Sequence, residues 1–184
     1  MQQEVIIAGF GGQGVLFAGQ LLSYTAMDEG KEVTWIPSYG PEMRGGTANC
    51  TVVVSDEEIG SPFVKNPTAV LAMNLPSLDK FEDLVEEGGV LVVNTSMVDR
   101  PVKREDITVV SLPANDIAES LGSKRSVNMV MLGALLANMN LLSLDAVETA
   151  LEAHLPKRHH KFLEANKSAL RKGAEYLAGE NVKA

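Results

Sequence analysis

With 184 residues, 45% of them apolar, the chain is long enough to build one domain around a filled core. Its net charge of −8 argues against nucleic acid as a main partner, because a phosphate backbone would be repelled. The single cysteine, Cys50, excludes an intrachain disulfide, a CxxC redox pair and an iron–sulfur cluster held by this chain alone.

Residues 1–4 carry no basic stretch, and the apolar run behind them ends within a few residues. Neither a signal peptide nor a membrane-spanning helix is expected, and with one cysteine the compartment reads as a reducing cytoplasm. Residues 5–8 are continuously apolar, the pattern of a strand buried on both faces in a parallel sheet. A glycine-rich turn follows at 9–14. From Val15 apolar residues recur at helical spacing to Thr25, predicting a helix that stops near Gly30. Residues 33–36 predict a second strand closed by Pro37. Strand, turn, helix and strand together predict one right-handed βαβ unit.

Residues 39–46 read as a loop, and 47–54 as a β-branched strand carrying Cys50 as a small buried hydrophobe. Two further buried strands are predicted at 69–73 and 90–94, with a helix between them from Pro76-Ser77 to Gly88-Gly89. A last strand is predicted at 107–112, stopped by Pro113. The final third is helical: 115–121, 128–140, 143–154 with Ser143 as N-cap, and 160–177, where Leu163, Leu170 and Leu177 repeat. The tail from 179 to 184 should fray. The expected architecture is a single α/β domain over 1–184. Residues 1–113 form its core, with a mostly parallel sheet and helices on both faces. Residues 114–178 form a helical C-terminal cap.

Gly9, Gly11 and Gly14 satisfy G-x-G-x-x-G between strand and helix. In this pattern the first glycine permits the turn, the second lets an anion approach backbone, and the third lets helix and strand pack. The helix N-terminus adds a partial positive charge of roughly +0.5. A nicotinamide dinucleotide would also need an acidic residue at the end of the second strand. That end is Trp35-Ile36-Pro37-Ser38, and Glu42 lies inside the loop. The loop itself offers Arg44 before Gly45 and Gly46, a guanidinium fork for carboxylate or phosphate, or an ion pair with Glu42. Asn94 and Thr95, just past a strand end, could face the crevice or cap a loop. Asn128 reads as a helix-start cap. His154, His159 and His160 lack metal-ligand spacing and read as solvated or interface residues. Lys157 to Lys161 is a basic run, either a charged helix start or a dock for an acidic partner.

Gly9-Phe10-Gly11-Gly12-Gln13-Gly14 and Tyr39-Gly40-Pro41-Glu42-Met43-Arg44-Gly45-Gly46 together resemble the γ subunit of 2-oxoacid:ferredoxin oxidoreductases. Val93-Asn94-Thr95-Ser96, Asn128-Met129-Val130-Met131-Leu132-Gly133-Ala134, and the closing helix with Asn166 and Gly173 extend the likeness over nearly the whole chain. The resemblance implies a Rossmann-like subunit of a holoenzyme that oxidatively decarboxylates a 2-oxoacid, transfers the acyl group to coenzyme A and reduces ferredoxin. Thiamine diphosphate and Mg2+ would sit between α and β subunits, and iron–sulfur clusters on β or a ferredoxin-like δ subunit. By resemblance 2-oxoglutarate is favoured over pyruvate and branched-chain 2-oxoacids.

The expected cofactor-binding residues on this chain are Gly9, Gly11, Gly12, Gln13, Gly14, Arg44, Gly45, Gly46, Asn94 and Thr95. No catalytic residue, metal ligand or cofactor held by this chain alone is expected. No G-D-G motif with a downstream Asn offers a diphosphate and Mg2+ site. The isolated chain could pair as a homodimer. The competing readings are a stand-alone nucleotide- or acyl-CoA-binding module and an NAD or flavin oxidoreductase.

Overall fold

The computed structural model describes residues 1–39 and 46–176. Arg44, Gly45, Leu177 and the tail 179–184 lie outside them. Six strands form one sheet: β1 (Gln2–Phe10), β2 (Glu32–Tyr39), β3 (Thr47–Ser55), β4 (Ala69–Ala72), β5 (Val90–Asn94) and β6 (Thr108–Leu112). Their spatial order is β2-β3-β1-β4-β5-β6. β1, β4, β5 and β6 are parallel neighbours. β3 runs antiparallel to both β1 and β2, so β2 points the same way as β1. The expected mostly parallel sheet is present.

The βαβ unit differs from expectation because β3 intervenes between its two strands. Parallel neighbours need a crossover of a dozen or more residues, which segment 40–46 is too short to supply. β2 and β3 must therefore form a hairpin, and β3 then adds to β1. β2 also continues through Pro37, which pairs opposite Cys50. A proline is tolerated there because β2 is an edge strand with one open side.

The helices are α1 (Val15–Asp28), α2 (Leu75–Phe81), α3 (Ala114–Ser120), α4 (Val127–Asn138), α5 (Leu144–His154) and α6 (Leu163–Ala174). Successive residues of β1 point to opposite faces, and both faces are covered. Val5 and Ile7 pack with α1, α4, α5 and α6, while Ile6 and Ala8 pack with α2. Each such Val or Ile side chain contributes about 1.5–3 kcal/mol on burial. The C-terminal helices thus form most of one layer over the sheet.

Two predicted helices are shorter than expected. α2 stops at Phe81 and passes into a 3-10 turn, Glu82–Leu84, before Gly88 takes a φ of 76°. The last helix begins at Leu163, because Lys157–Phe162 is 3-10. Ser143 caps α5 as expected, its hydroxyl accepting the Ala146 N–H at 3.1 Å. Over the second face, the stretch 98–107 is held by Glu82. Its carboxylate is buried, accepts the Lys103 N–H and pairs with Arg100 at 2.8 Å.

Candidate functional site

The glycine turn joins the carboxyl end of β1 to α1. Gly12 and Gly14 have φ of 98° and 77°, a left-handed region that glycine enters without a Cβ penalty. The turn is therefore made by these two, and the expected role of Gly9 is corrected. Gly9 stays in the strand, where a Cβ would come within 2.7 Å of Gln13 Oε1 and 2.9 Å of Val15 Cγ2. Gly14 also differs from expectation. A Cβ there would collide with the Asn128 carboxamide of α4, not with the strand.

Asn128 was expected to cap its own helix. The N-cap position falls on Ser126, and Asn128 Nδ2 instead donates to the Gly14 carbonyl at 3.1 Å. Gln13 turns inward too. Its Oε1 accepts the Phe10 N–H at 2.6 Å and faces Asn74 Nδ2 at 3.4 Å, so the side chain clips the loop it belongs to.

The Gly11 N–H donates to the Gly46 carbonyl at 2.9 Å, and Phe10 pairs with Thr47 across the β1–β3 ladder. This brings the two glycine-rich stretches to one rim of the sheet. Beside them opens a cleft of about 260 Å3, bordered by Phe10, Gly11, Gly12, Phe17 and Gly46. No charged side chain among the described residues lines it. The cleft offers backbone groups, apolar surface and the positive end of α1, whose first turn contains no acidic residue.

Asn94, the last residue of β5, and Thr95, just past it, lie at the same carboxyl rim. Asn94 is fully buried and its carboxamide is engaged on every side. Nδ2 donates to the Met73 carbonyl at 3.3 Å and to Asn115 Oδ1 at 2.9 Å, while Oδ1 accepts from the Ala114 N–H at 3.1 Å and the Ser96 N–H at 3.3 Å. It ties β4, β5 and α3 together and turns away from the crevice. Thr95 is exposed, with its N–H on the Leu112 carbonyl at 2.9 Å. The structure thus gathers Gly11, Gly12, Gly14 and Gly46 around one cleft, and assigns Gln13 and Asn94 to holding the rim.

The insertion of β3 weakens a dinucleotide reading further. The end of β2, where a ribose-binding carboxylate would stand, is separated from β1 by a whole strand. Cys50 is fully buried beneath α1, its thiol 3.6 Å from the Val15 carbonyl and pushed up to about 11 by desolvation. Neither this thiol nor any group of three His, Cys, Asp or Glu among the described residues fits a metal cluster.

The histidines divide. His154 Nε2 meets Asp28 Oδ2 at 2.8 Å and its ring stacks on Tyr24 at 4.5 Å, pinning α5 to α1. His160 Nε2 lies 2.7 Å from the Leu155 carbonyl. His159 borders a second cavity. No helix among the described residues is long and apolar enough to cross a membrane.

The sequence profile described as "Pyruvate ferredoxin/flavodoxin oxidoreductase" matches residues 4–176. The chain is 40% identical over 181 residues to the ketoisovalerate oxidoreductase subunit VorA of Methanothermobacter thermautotrophicus, covering 97% of this chain and 37% of that one. It is 37% identical over 178 residues to the 2-oxoglutarate synthase subunit KorC of Methanocaldococcus jannaschii, covering 95% and 94%. The chain therefore spans little more than a third of the VorA relative but nearly all of the KorC relative.

Among solved structures, the γ subunit of a keto/oxoacid ferredoxin oxidoreductase from Geobacter sulfurreducens superposes with a TM-score of 0.80 at 30% identity, over 94% of this chain and 96% of that one. A 2-oxoglutarate:ferredoxin oxidoreductase from Magnetococcus marinus superposes with a TM-score of 0.84 at 26% identity, over 95% of this chain and 30% of that one. The joined glycine turn and hairpin, the profile match over residues 4–176 and these superpositions have one explanation: the chain belongs to the pyruvate ferredoxin/flavodoxin oxidoreductase family.

Proposed function

We propose that this chain is the γ-type subunit of a cytoplasmic 2-oxoacid:ferredoxin oxidoreductase and holds no complete active site of its own. The holoenzyme cleaves the bond between the carboxylate and the keto carbon of a 2-oxoacid, releasing carbon dioxide. The acyl group passes to the coenzyme A thiol, a proton is released, and the electron pair passes to ferredoxin. Thiamine diphosphate and iron–sulfur clusters on partner chains would supply the chemistry for decarboxylation and electron transfer. Here the γ chain shapes the approach of coenzyme A or the joint between subunits.

The observation that carries this reading is the Gly11–Gly46 hydrogen bond at 2.9 Å. It fastens the turn at the start of α1 to the hairpin that carries Arg44, beside a cleft whose described lining contains no acid–base side chain. The described lining suits positioning a ligand through backbone and apolar contacts. The Magnetococcus marinus 2-oxoglutarate:ferredoxin oxidoreductase structure, which has 2-oxoglutarate, coenzyme A and succinyl-CoA bound, supports coenzyme A as the molecule positioned.

Reconstitution tests the proposal. The purified chain alone should show no turnover, and adding α- and β-type partner chains should give coenzyme A-dependent viologen reduction. Assays with 2-oxoglutarate, 2-oxoisovalerate and pyruvate identify the oxoacid. Full activity of the partners without this chain would refute the assignment.

A further inference from the structure

A pair of carboxamides holds the floor of the glycine cleft from behind. Phe10 and Gln13 clasp each other twice. The Gln13 N–H donates to the Phe10 carbonyl at 3.1 Å, and Gln13 Oε1 accepts the Phe10 N–H at 2.6 Å. The two residues inside this clasp are Gly11 and Gly12, and both border the cleft. The clasp fills the space behind the turn, so that a Cβ on Gly9 would stand 2.7 Å from Gln13 Oε1.

The same oxygen has a second partner. Asn74 Nδ2 faces Gln13 Oε1 at 3.4 Å. Asn74 follows β4 at its carboxyl end, is buried, and caps α2 through Oδ1, which accepts the Ser77 N–H at 2.9 Å. Backbone donors decide how both carboxamides are turned. The Phe10 N–H needs the oxygen of Gln13, and the Ser77 N–H needs the oxygen of Asn74. Only the nitrogen of Asn74 is then left to meet Gln13. Asn74 is anchored in turn through its neighbour. The Met73 N–H donates to the Ala8 carbonyl at 2.9 Å, and the Met73 carbonyl accepts from Asn94 Nδ2 at 3.3 Å. Neither Gln13 nor Asn74 is among the described residues that line the cleft.

We infer that Asn74 is a positioning residue for coenzyme A. It acts through Gln13, fixing the conformation in which Gly11 and Gly12 meet the ligand. This rests on the proposed part of the cleft in the approach of coenzyme A.

Asn74→Ser in the assembled holoenzyme tests it. A serine hydroxyl keeps the α2 cap but is too short to reach Gln13. The KM for coenzyme A should rise at least threefold, with kcat at saturating coenzyme A, the KM for the 2-oxoacid and co-elution of the subunits unaltered. Gln13→Met should raise the same KM. Adding Asn74→Ser to it should raise that KM no further, because both act through one contact. Thr47→Trp checks the cleft separately, since Thr47 borders it at an exposed strand position and a bulky ring there narrows it. A raised KM in Thr47→Trp beside an unaltered KM in Asn74→Ser would overturn the positioning role and leave that of the cleft standing. An unaltered KM in both would remove the role of the cleft, and the positioning role with it. A fall in kcat without a change in the coenzyme A KM would mark Asn74 as merely structural and overturn the proposal, as would multiplying effects of Asn74→Ser and Gln13→Met.

Discussion

Gly133 of α4 and Gly173 of α6 face each other where the two helices cross. A Cβ on Gly133 would collide with the Leu170 carbonyl, and one on Gly173 would collide with the Val130 carbonyl. Each helix therefore presses backbone against the other's missing side chain, at a contact shared by buried Met129, Leu132, Ala169 and Leu170. Neither neighbour is a flexible side-chain tip that could move aside. Gly133→Ala or Gly173→Ala should destabilise the chain by about 3 kcal/mol or more, the upper range of overpacking. The double variant should cost less than the sum, because one separation of the helices relieves both clashes. Urea unfolding of the three variants measures this, and additive losses would mean the glycines do not share a contact.

The bond from Asn128 to the Gly14 carbonyl predicts a separable effect. Asn128→Ala removes a donor at a partly buried site and should cost about 1–2 kcal/mol. Gly14→Ala should cost more, since it adds a left-handed strain at φ 77° to a collision with the Asn128 carboxamide. Pairing Gly14→Ala with Asn128→Ala should recover the part due to collision and leave the part due to φ. Thermal melts of the single and double variants separate the two contributions.

The Asn128 contact also marks where sequence reasoning ends. β1, α1 and the glycine turn were legible because their signals are local: a continuous apolar run, a helical period, and glycines where backbone must bend. The family resemblance was legible at Asn128, Gly133, Asn166 and Gly173, but not its cause. The cause is contact between α4, α6 and the glycine turn, and Asn128 and Gly14 are 114 residues apart in sequence. The place of β3 between β1 and β2 was likewise hidden. Strand composition records burial, while strand order depends on which connection is too short to cross over. Asn94 read as a loop cap or a crevice residue, because a carboxamide at a strand end suits both until its four partners are known. The second cavity, beside His159, was hidden because its walls come from α1, the stretch before α4 and the 3-10 segment, which only the fold brings together.

Arg44, two residues before Gly46, tests what the hairpin does. If its guanidinium serves an anionic ligand of the assembled enzyme, Arg44→Ala should raise the KM for coenzyme A at least tenfold while the subunits still co-elute. Arg44→Lys should recover only part of the loss, since an ammonium lacks the bidentate fork. If Arg44 only fastens the hairpin, the complex should dissociate on gel filtration and the KM of whatever remains assembled should be unaltered. Unchanged kinetics with unchanged assembly would deprive the loop of both roles.

Cys50 makes the stability of the chain depend on alkaline pH. Burial raises its thiol from the ordinary value of 9.0 to about 11, against smaller opposing contributions from the Trp35 side chain and the Gly19 backbone. A raised value in the folded state means that the folded form keeps the proton after the unfolded form has lost it. The stabilising contribution is therefore complete below pH 9 and declines as pH rises towards 11. The decline should approach about 1.4 kcal/mol per pH unit within that window, or roughly 2–3 kcal/mol in all. Cys50→Ala lacks the titrating group, so the stability difference between wild type and variant isolates it. Urea unfolding of both proteins should give a constant difference from pH 7 to 8.5, which then shifts in favour of the variant as pH rises further. A difference that stays level to pH 10.5 would mean the thiol ionises within the fold at its ordinary value, and that α1 does not seal it from water.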